Sequence, residues 1–183
     1  MTPRQGSYPV RVTSAKLRPL PAEVITLLDQ LTPCPRLVEH LRIVHDVACR
    51  LCDWVAAAFP ELAFDRDAVL FGAATHDIGK TLHPEELSGP GSCHEQAGYD
   101  LLTAHGVSPS RARFARTHAA WNPTDPDELL VGLSDKVWKG KRVAALEQDL
   151  ITLLASASGR PEWEVFQALD DFVTTIETDS PLF

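Results

Sequence analysis

No segment of this 183-residue chain reaches the roughly 18 consecutive apolar residues that a membrane-spanning helix requires. The opening stretch, MTPRQGSYPVRVTSAKLRPLP, has no apolar core, so it does not read as a secretory leader. A surplus of positive charge is missing too. The net charge is −8, and an acidic surface repels a phosphate polymer, which argues against general DNA or RNA binding. Cysteine is sparse: Cys34, Cys49, Cys52 and Cys93. The Cys49-x-x-Cys52 pair lies in a helical stretch with no second pair, so it reads as small core residues rather than zinc or redox chemistry. These absences lead to the expectation of a cytoplasmic protein with reduced thiols and no membrane partner. Alternating apolar and polar runs are missing as well, as are internal repeats and low-complexity segments. The expected fold class is therefore all-α.

The punctuation that is present is helical. Residues 1–20 read as a tail or a loosely packed segment, and residues 21–183 as one helical domain. Pro21 to Leu31 suggests a short helix. Arg36 to Phe59 suggests a long one, with Leu41, Val44, Ala48, Leu51 and Val55 on its apolar face. Asp65 or Asp67 caps a helix that carries Ala68 to Asp77, and Gly79 suits the position just beyond its end. A loop follows over residues 81–91. Ser92 and Glu95 form a capping-box pattern for a helix to Ala104, and Ser108-Pro109 starts another that runs to His118. WNPTDPDE reads as a loop and cap. Glu128 to Ala155 is expected to be helical with a break near Gly140. Pro161 to Glu177 is expected to turn Trp163, Phe166, Leu169, Phe172, Val173 and Ile176 inward.

Several polar groups interrupt these apolar patterns. His40 is in line with Val44, Ala48 and Leu51. His76 and Asp77 close an apolar helix in which Gly72, Ala73 and Ala74 allow close approach. His94 is followed one turn later by Gly98, His118 ends RARFARTH, and Asp135 interrupts LLVGLSDKVW. A lone histidine on an apolar face is usually a hydrogen-bonded core residue. Four imidazoles and two carboxylates near buried faces of five helices are a different case, because burying them is costly unless they are paired. A bound cation offsets that cost. Nitrogen and hard oxygen donors suit Fe or Mn, with Zn, Co, Ni or Mg also compatible.

The segments EHLRIVHDVACRL, AATHDIGK, HEQAGYDLL, RTHAAW and VGLSDKVW together resemble the HD-domain metal-dependent phosphohydrolase superfamily. The HDIGK variant and the pattern His94-x-x-x-Gly98-x-x-Leu101-Leu102 resemble its two-metal branch. The resemblance implies an all-α bundle with a central site. It implies one cation on His40, His76, Asp77 and Asp135, with Asp77 bridging to a second held by His94 and His118. His45 is the alternative first ligand or a neighbour of the site. His40 fits the family spacing better, because the position eight residues after His45 is Asp53.

Two such cations can hold a bridging hydroxide and offset charge on a phosphoryl group. The expected activity is hydrolysis of a phosphomonoester, phosphodiester or phosphoanhydride, with Asp77 and Lys80 as catalytic residues. The basic run SDKVWKGKR adds Lys136, Lys139, Lys141 and Arg142. Of these, Lys136, Lys139 and Arg142 join Lys80 as candidate phosphate contacts, and the run loosely resembles that of bacterial HD-type dinucleoside tetraphosphate hydrolases. Trp121 or Trp138 is placed to stack a base or simply to pack. Glu85 and Glu86 lie in a segment that reads equally as a lid, a source of an acid, or a linker. Cys93 is the thiol nearest a candidate ligand. The expected partner is a small phosphorylated molecule or nucleotide, and a homodimer stays open. The same ligand set also occurs in di-iron HD-type oxygenases, and a non-catalytic nucleotide-binding module is the third reading. The Gly-Tyr-Pro signature of the cyclic-dinucleotide branch is not present.

Overall fold

The computed structural model describes residues 17–179; the expectation of a tail over residues 1–20 falls mostly outside them. Residues 17–20 lie against the long helix. Leu20 is buried, and Arg18 donates its backbone N–H to Asp46 and reaches Asp53 Oδ2 at 2.7 Å.

The described residues are helical, with no strand among them. In order they form α1 (Ala22–Leu31), α2 (Pro35–Ala58), α3 (Arg66–Thr75), α4 (Cys93–Ala104), α5 (Pro109–Ala112), α6 (Phe114–Thr117), α7 (Pro126–Val137), α8 (Ala144–Ser158) and α9 (Glu162–Asp179). None of these helices is long and apolar enough to cross a membrane. Between α3 and α4 the chain makes two 3-10 turns, Ile78–Thr81 and Pro84–Leu87.

Helix α3 is the axis of the bundle. Six of its ten residues are Ala, Gly, Val or Phe, and every residue from Ala68 to Thr75 except Leu70 is buried. It packs on α2 and α7, with α5 and α6 across it. Gly72 is what admits α6, since a Cβ there would stand 2.6 Å from the Phe114 ring. Asp65, not Asp67, caps the helix, accepting from Ala68 N–H at 3.0 Å. Two apolar clusters flank it. One joins α2, α3, α7, α8 and α9, and the other joins α1 and α4 to the opposite sides of α2 and α3.

Four expectations change in detail, and a fifth is borne out. Gly79 does not end α3 with a left-handed turn; it lies inside the first 3-10 turn and lacks a positive φ. Ser92 makes no side-chain cap on α4, so the capping box with Glu95 does not form. The stretch from Pro109 is two one-turn helices that meet at Arg113 rather than one helix to His118. The stretch from Glu128 to Ala155 breaks near Gly140 as expected, into α7 and α8 with residues 138–143 between them. On α9, Trp163 and Phe166 are 68% and 52% exposed, while Val165, Leu169, Val173 and Ile176 are buried. The apolar stripe is thus centred on Leu169, and a helix advances about 100° per residue, which carries Trp163 to the far side.

Candidate metal centre

Adjacent residues on an α-helix point about 100° apart, yet His76 and Asp77 serve one site. The α-helix ends between them. His76 still has helical dihedrals and closes α3 by donating its N–H to Gly72 O. Asp77 turns to φ −101°, ψ 10° and opens the 3-10 turn. The change of pitch swings its carboxylate alongside the His76 ring, leaving His76 Nε2 and Asp77 Oδ2 3.5 Å apart.

Other helices bring the remaining groups to this point. From α2, His40 Nε2 lies 3.2 Å from His76 Nε2 and 3.1 Å from Asp77 Oδ2. From α7, Asp135 Oδ1 lies 3.5 Å from His76 Nε2 and 3.8 Å from His40 Nε2. Asp77 Oδ1 faces the other way. It meets His94 Nε2 of α4 at 3.1 Å and His118 Nε2, at the end of α6, at 3.6 Å. One carboxylate therefore divides its oxygens between a His40–His76–Asp135 cluster and a His94–His118 cluster. Glycines make this convergence possible. A Cβ on Gly79 would stand 2.0 Å from His94 O, and one on Gly132 3.3 Å from His118 O.

The ring tautomers follow from the outer nitrogens. His76 Nδ1 lies 3.0 Å from Ala73 O, and His118 Nδ1 lies 3.1 Å from Ala115 O. A carbonyl only accepts, so each Nδ1 carries a proton, which leaves Nε2 as the ring nitrogen that can bind a cation. Each Nε2 faces carboxylate oxygens. Burial works against ionising Asp77, but the surrounding imidazoles win and hold it well below the usual carboxylate range. Burial likewise opposes Asp135, and His76, Lys136 and Lys139 outweigh it. Burial, with the neighbouring His76, pushes His118 down to about 3, and burial lowers His40 despite Asp77. For His76 and His94 the carboxylates overcome burial and the net shift is upward.

Converging ring nitrogens and carboxylate oxygens suit a cation, and so does their spacing. With metal–donor bonds of about 2.1 Å, neighbouring donors stand about 3.0 Å apart at right angles and about 3.4 Å apart in a tetrahedron. The donor pairs quoted above span 3.1–3.8 Å. Asp77 Oδ1 and His94 Nε2 are also buried without any hydrogen-bond partner, an arrangement that is costly for polar atoms. The donors are imidazole and carboxylate with no thiolate, a set suited to divalent cations.

The clusters form one wall of a cavity of about 540 Å³. Lys80, Lys136 and Lys139 line it, and Arg36 joins them as a cation that sequence reasoning missed. Lys80 Nζ is 2.6 Å from Asp77 Oδ2 and Lys136 Nζ is 2.5 Å from Asp135 Oδ2, while Lys139 Nζ stands 3.8 Å from Asp135 Oδ1. Trp138 also lines the cavity, whereas Trp121 is occupied in a hydrogen bond to Asp149.

Four sequence candidates lie elsewhere. Arg142 does not face the cavity. Its guanidinium binds Glu147 at 2.7 Å and Asp170 at 2.8 Å, tying α8 to α9, because the backbone after Gly140 has already left the site. Lys141 and Cys93 are exposed and outside the cavity lining. His45 is buried on α2 beside the Cys49 thiol, 3.7 Å from it, and joins neither cluster. Burial pushes His45 down to about 4 from 6.5, against a weaker upward pull from Asp46. The unfolded chain thus binds a proton at His45 before the folded one does. Its contribution to stability is intact above about pH 6.5 and is lost as pH falls toward 4. Urea midpoints measured from pH 7 to pH 4.5 should therefore fall less steeply for His45→Gln than for the parent chain. Equal slopes would contradict a buried neutral His45.

The family model described as HD domain matches residues 37–153, well over half of the chain and the span from α2 into α8 that carries all six clustered residues. No match was found among curated proteins or among solved structures. The matched span and the His76-Asp77 centre agree, and the chain belongs to the HD domain family.

Proposed function

We propose that the protein is a divalent-cation-dependent phosphohydrolase acting on a nucleotide or another small phosphorylated molecule. The observation that carries this reading is the division of the Asp77 carboxylate between two donor clusters on the wall of a lysine- and arginine-lined cavity. His40, His76, Asp77 and Asp135 would hold one cation, and Asp77, His94 and His118 a second, with iron or manganese favoured by the donor set. When bound, such cations supply Lewis acidity toward water and toward a phosphoryl oxygen.

The side chains of this chain supply the rest. Four cationic side chains, Arg36, Lys80, Lys136 and Lys139, line the cavity with four anionic ones, Glu39, Asp77, Glu95 and Asp135. Inside a chain of net charge −8, that balance lets an anionic ligand approach where the general surface would repel it. Lys80 sits one 3-10 turn beyond Asp77, so its ammonium can move from Asp77 Oδ2 to a phosphoryl oxygen without leaving the site. Lys136 and Lys139 stand on the Asp135 side and orient the other end of the anion. The four cations favour an anionic ligand over an uncharged polyol.

The test combines metal analysis of anaerobically purified protein with a panel of phosphate esters, dinucleotides and nucleoside polyphosphates. Phosphate release that requires added cation, and that is lost in His76→Ala, supports the reading. Oxygen consumption without phosphate release, or tight nucleotide binding by metal-loaded protein that turns nothing over, would replace it.

A further inference from the structure

Glu86 sits on the turn Pro84–Leu87, outside both donor clusters built on Asp77, yet its side chain is only 5% exposed. Its Oε1 accepts from Cys93 N–H at 3.0 Å and its Oε2 from His94 N–H at 3.1 Å. These bonds cap α4 in place of Ser92. Oε2 also lies 2.5 Å from His94 Nδ1. Gly91 makes room for this arrangement, because a Cβ there would stand 2.3 Å from Glu86 Oε1.

We propose that Glu86 is the positioning residue of the second cation cluster, fixing the tautomer and ring orientation of His94 from outside the ligand set. This rests on the reading that Asp77, His94 and His118 hold a cation. His76 and His118 find acceptors for Nδ1–H three residues back, at Ala73 O and Ala115 O. His94 has no such carbonyl. It is the second residue of α4, and the residues before Cys93 are not helical. An acceptor must come from another element, and Glu86 provides it. A carboxylate only accepts, so Nδ1 carries a proton and Nε2, 3.1 Å from Asp77 Oδ1, is the nitrogen left to bind a cation. A carboxylate behind a ligating imidazole also raises its basicity.

Glu86→Gln tests this with almost no change in shape. The amide has one acceptor and one donor end. If its NH2 faces His94, Nδ1 must accept and the proton moves to Nε2, toward Asp77. If its oxygen faces His94, the NH2 opposes the Cys93 N–H. Imidazole ¹⁵N spectra of the chelator-treated full chain, with His94 assigned through His94→Gln, read the tautomer without any bound cation. Titration with Mn²⁺ reads the two cation affinities. Glu86→Gln should shift His94 away from the Nδ1–H form and weaken one cation by about 10–100-fold, leaving the other unchanged. Gly91→Ala, which displaces the carboxylate while keeping it, should weaken the same cation and carries the test if Glu86→Gln does not fold. An unchanged tautomer with both affinities within about twofold of the parent overturns the proposal. If the parent chain binds no divalent cation, the metal-centre reading fails, while the tautomer measurement still judges Glu86.

Discussion

Asp77→Asn leaves less than one cation per chain at Mn²⁺ concentrations that fill both clusters of the parent, and hydrolysis falls by about 10³-fold or more, about 4 kcal/mol at the transition state. The size of the effect follows from the shared carboxylate. Oδ2 serves His40 and His76, and Oδ1 serves His94 and His118. Asparagine keeps the shape but turns one oxygen into a hydrogen-bond donor and removes the negative charge from both clusters. His94→Gln, by contrast, touches one cluster only and should leave about one cation bound. Equilibrium dialysis with elemental analysis separates the two variants, and thermal unfolding in chelator confirms that both fold. If Asp77→Asn retains two cations, the carboxylate is not shared and the two-cluster geometry does not describe the bound state.

Gly79→Ala is the second large effect, and here the damage is to packing. The backbone dihedrals of Gly79 are open to alanine, since it has no positive φ. The obstacle is the backbone of α4. A Cβ would stand 2.0 Å from His94 O and 2.5 Å from Gly98 N. Main-chain atoms in a helix do not yield as a side-chain tip does, so α4 must move off the turn and carry His94 with it. The expected cost is about 3 kcal/mol or more, a fall in Tm of about 6–12 °C for a chain of this length. The His94–His118 cluster should lose its cation while the His40–His76–Asp135 cluster keeps one. Gly89→Ala is a matched control, because its Cβ would meet only Glu85 O at 3.2 Å. Equal melting temperatures for the two variants would show that α4 does not rest on Gly79.

The centre of the site was legible in the sequence because polarity in the wrong place is itself a signal. His40, His76, His94, His118 and Asp135 each interrupt a helical apolar pattern, and the structure places all five around Asp77. The preference for His40 over His45 comes from the spacing of the family that the sequence resembles, and His40 is the one that joins a cluster. The rim was less legible because it depends on contacts between elements. Arg142 shares a basic run with Lys136 and Lys139, but the chain turns after Gly140 and hands it to Glu147 and Asp170. Arg36 opens α2 far from any basic run, and nothing local marks it as a cavity residue. From the sequence, Glu86 reads equally as part of a lid, a source of an acid, or a linker residue. Its capping of α4 spans seven and eight residues across a loop, so no short-range rule exposes it. Apolarity alone predicts Trp163 and Phe166 inward, but their angle about the helix axis turns them outward.

Because α3 is buried on nearly every side, the residues that hold the bundle together and those that present His76 and Asp77 are largely the same residues. A change that relocates the donor clusters also costs stability, so inheritance of the fold brings the clusters with it. The cavity rim is built differently. Arg36 comes from α2, Leu87 from the second 3-10 turn, and Trp138 and Lys139 from the segment after α7, and none belongs to the axial helix. Selection can therefore exchange them one at a time, changing what the cavity admits while the donor clusters stay fixed.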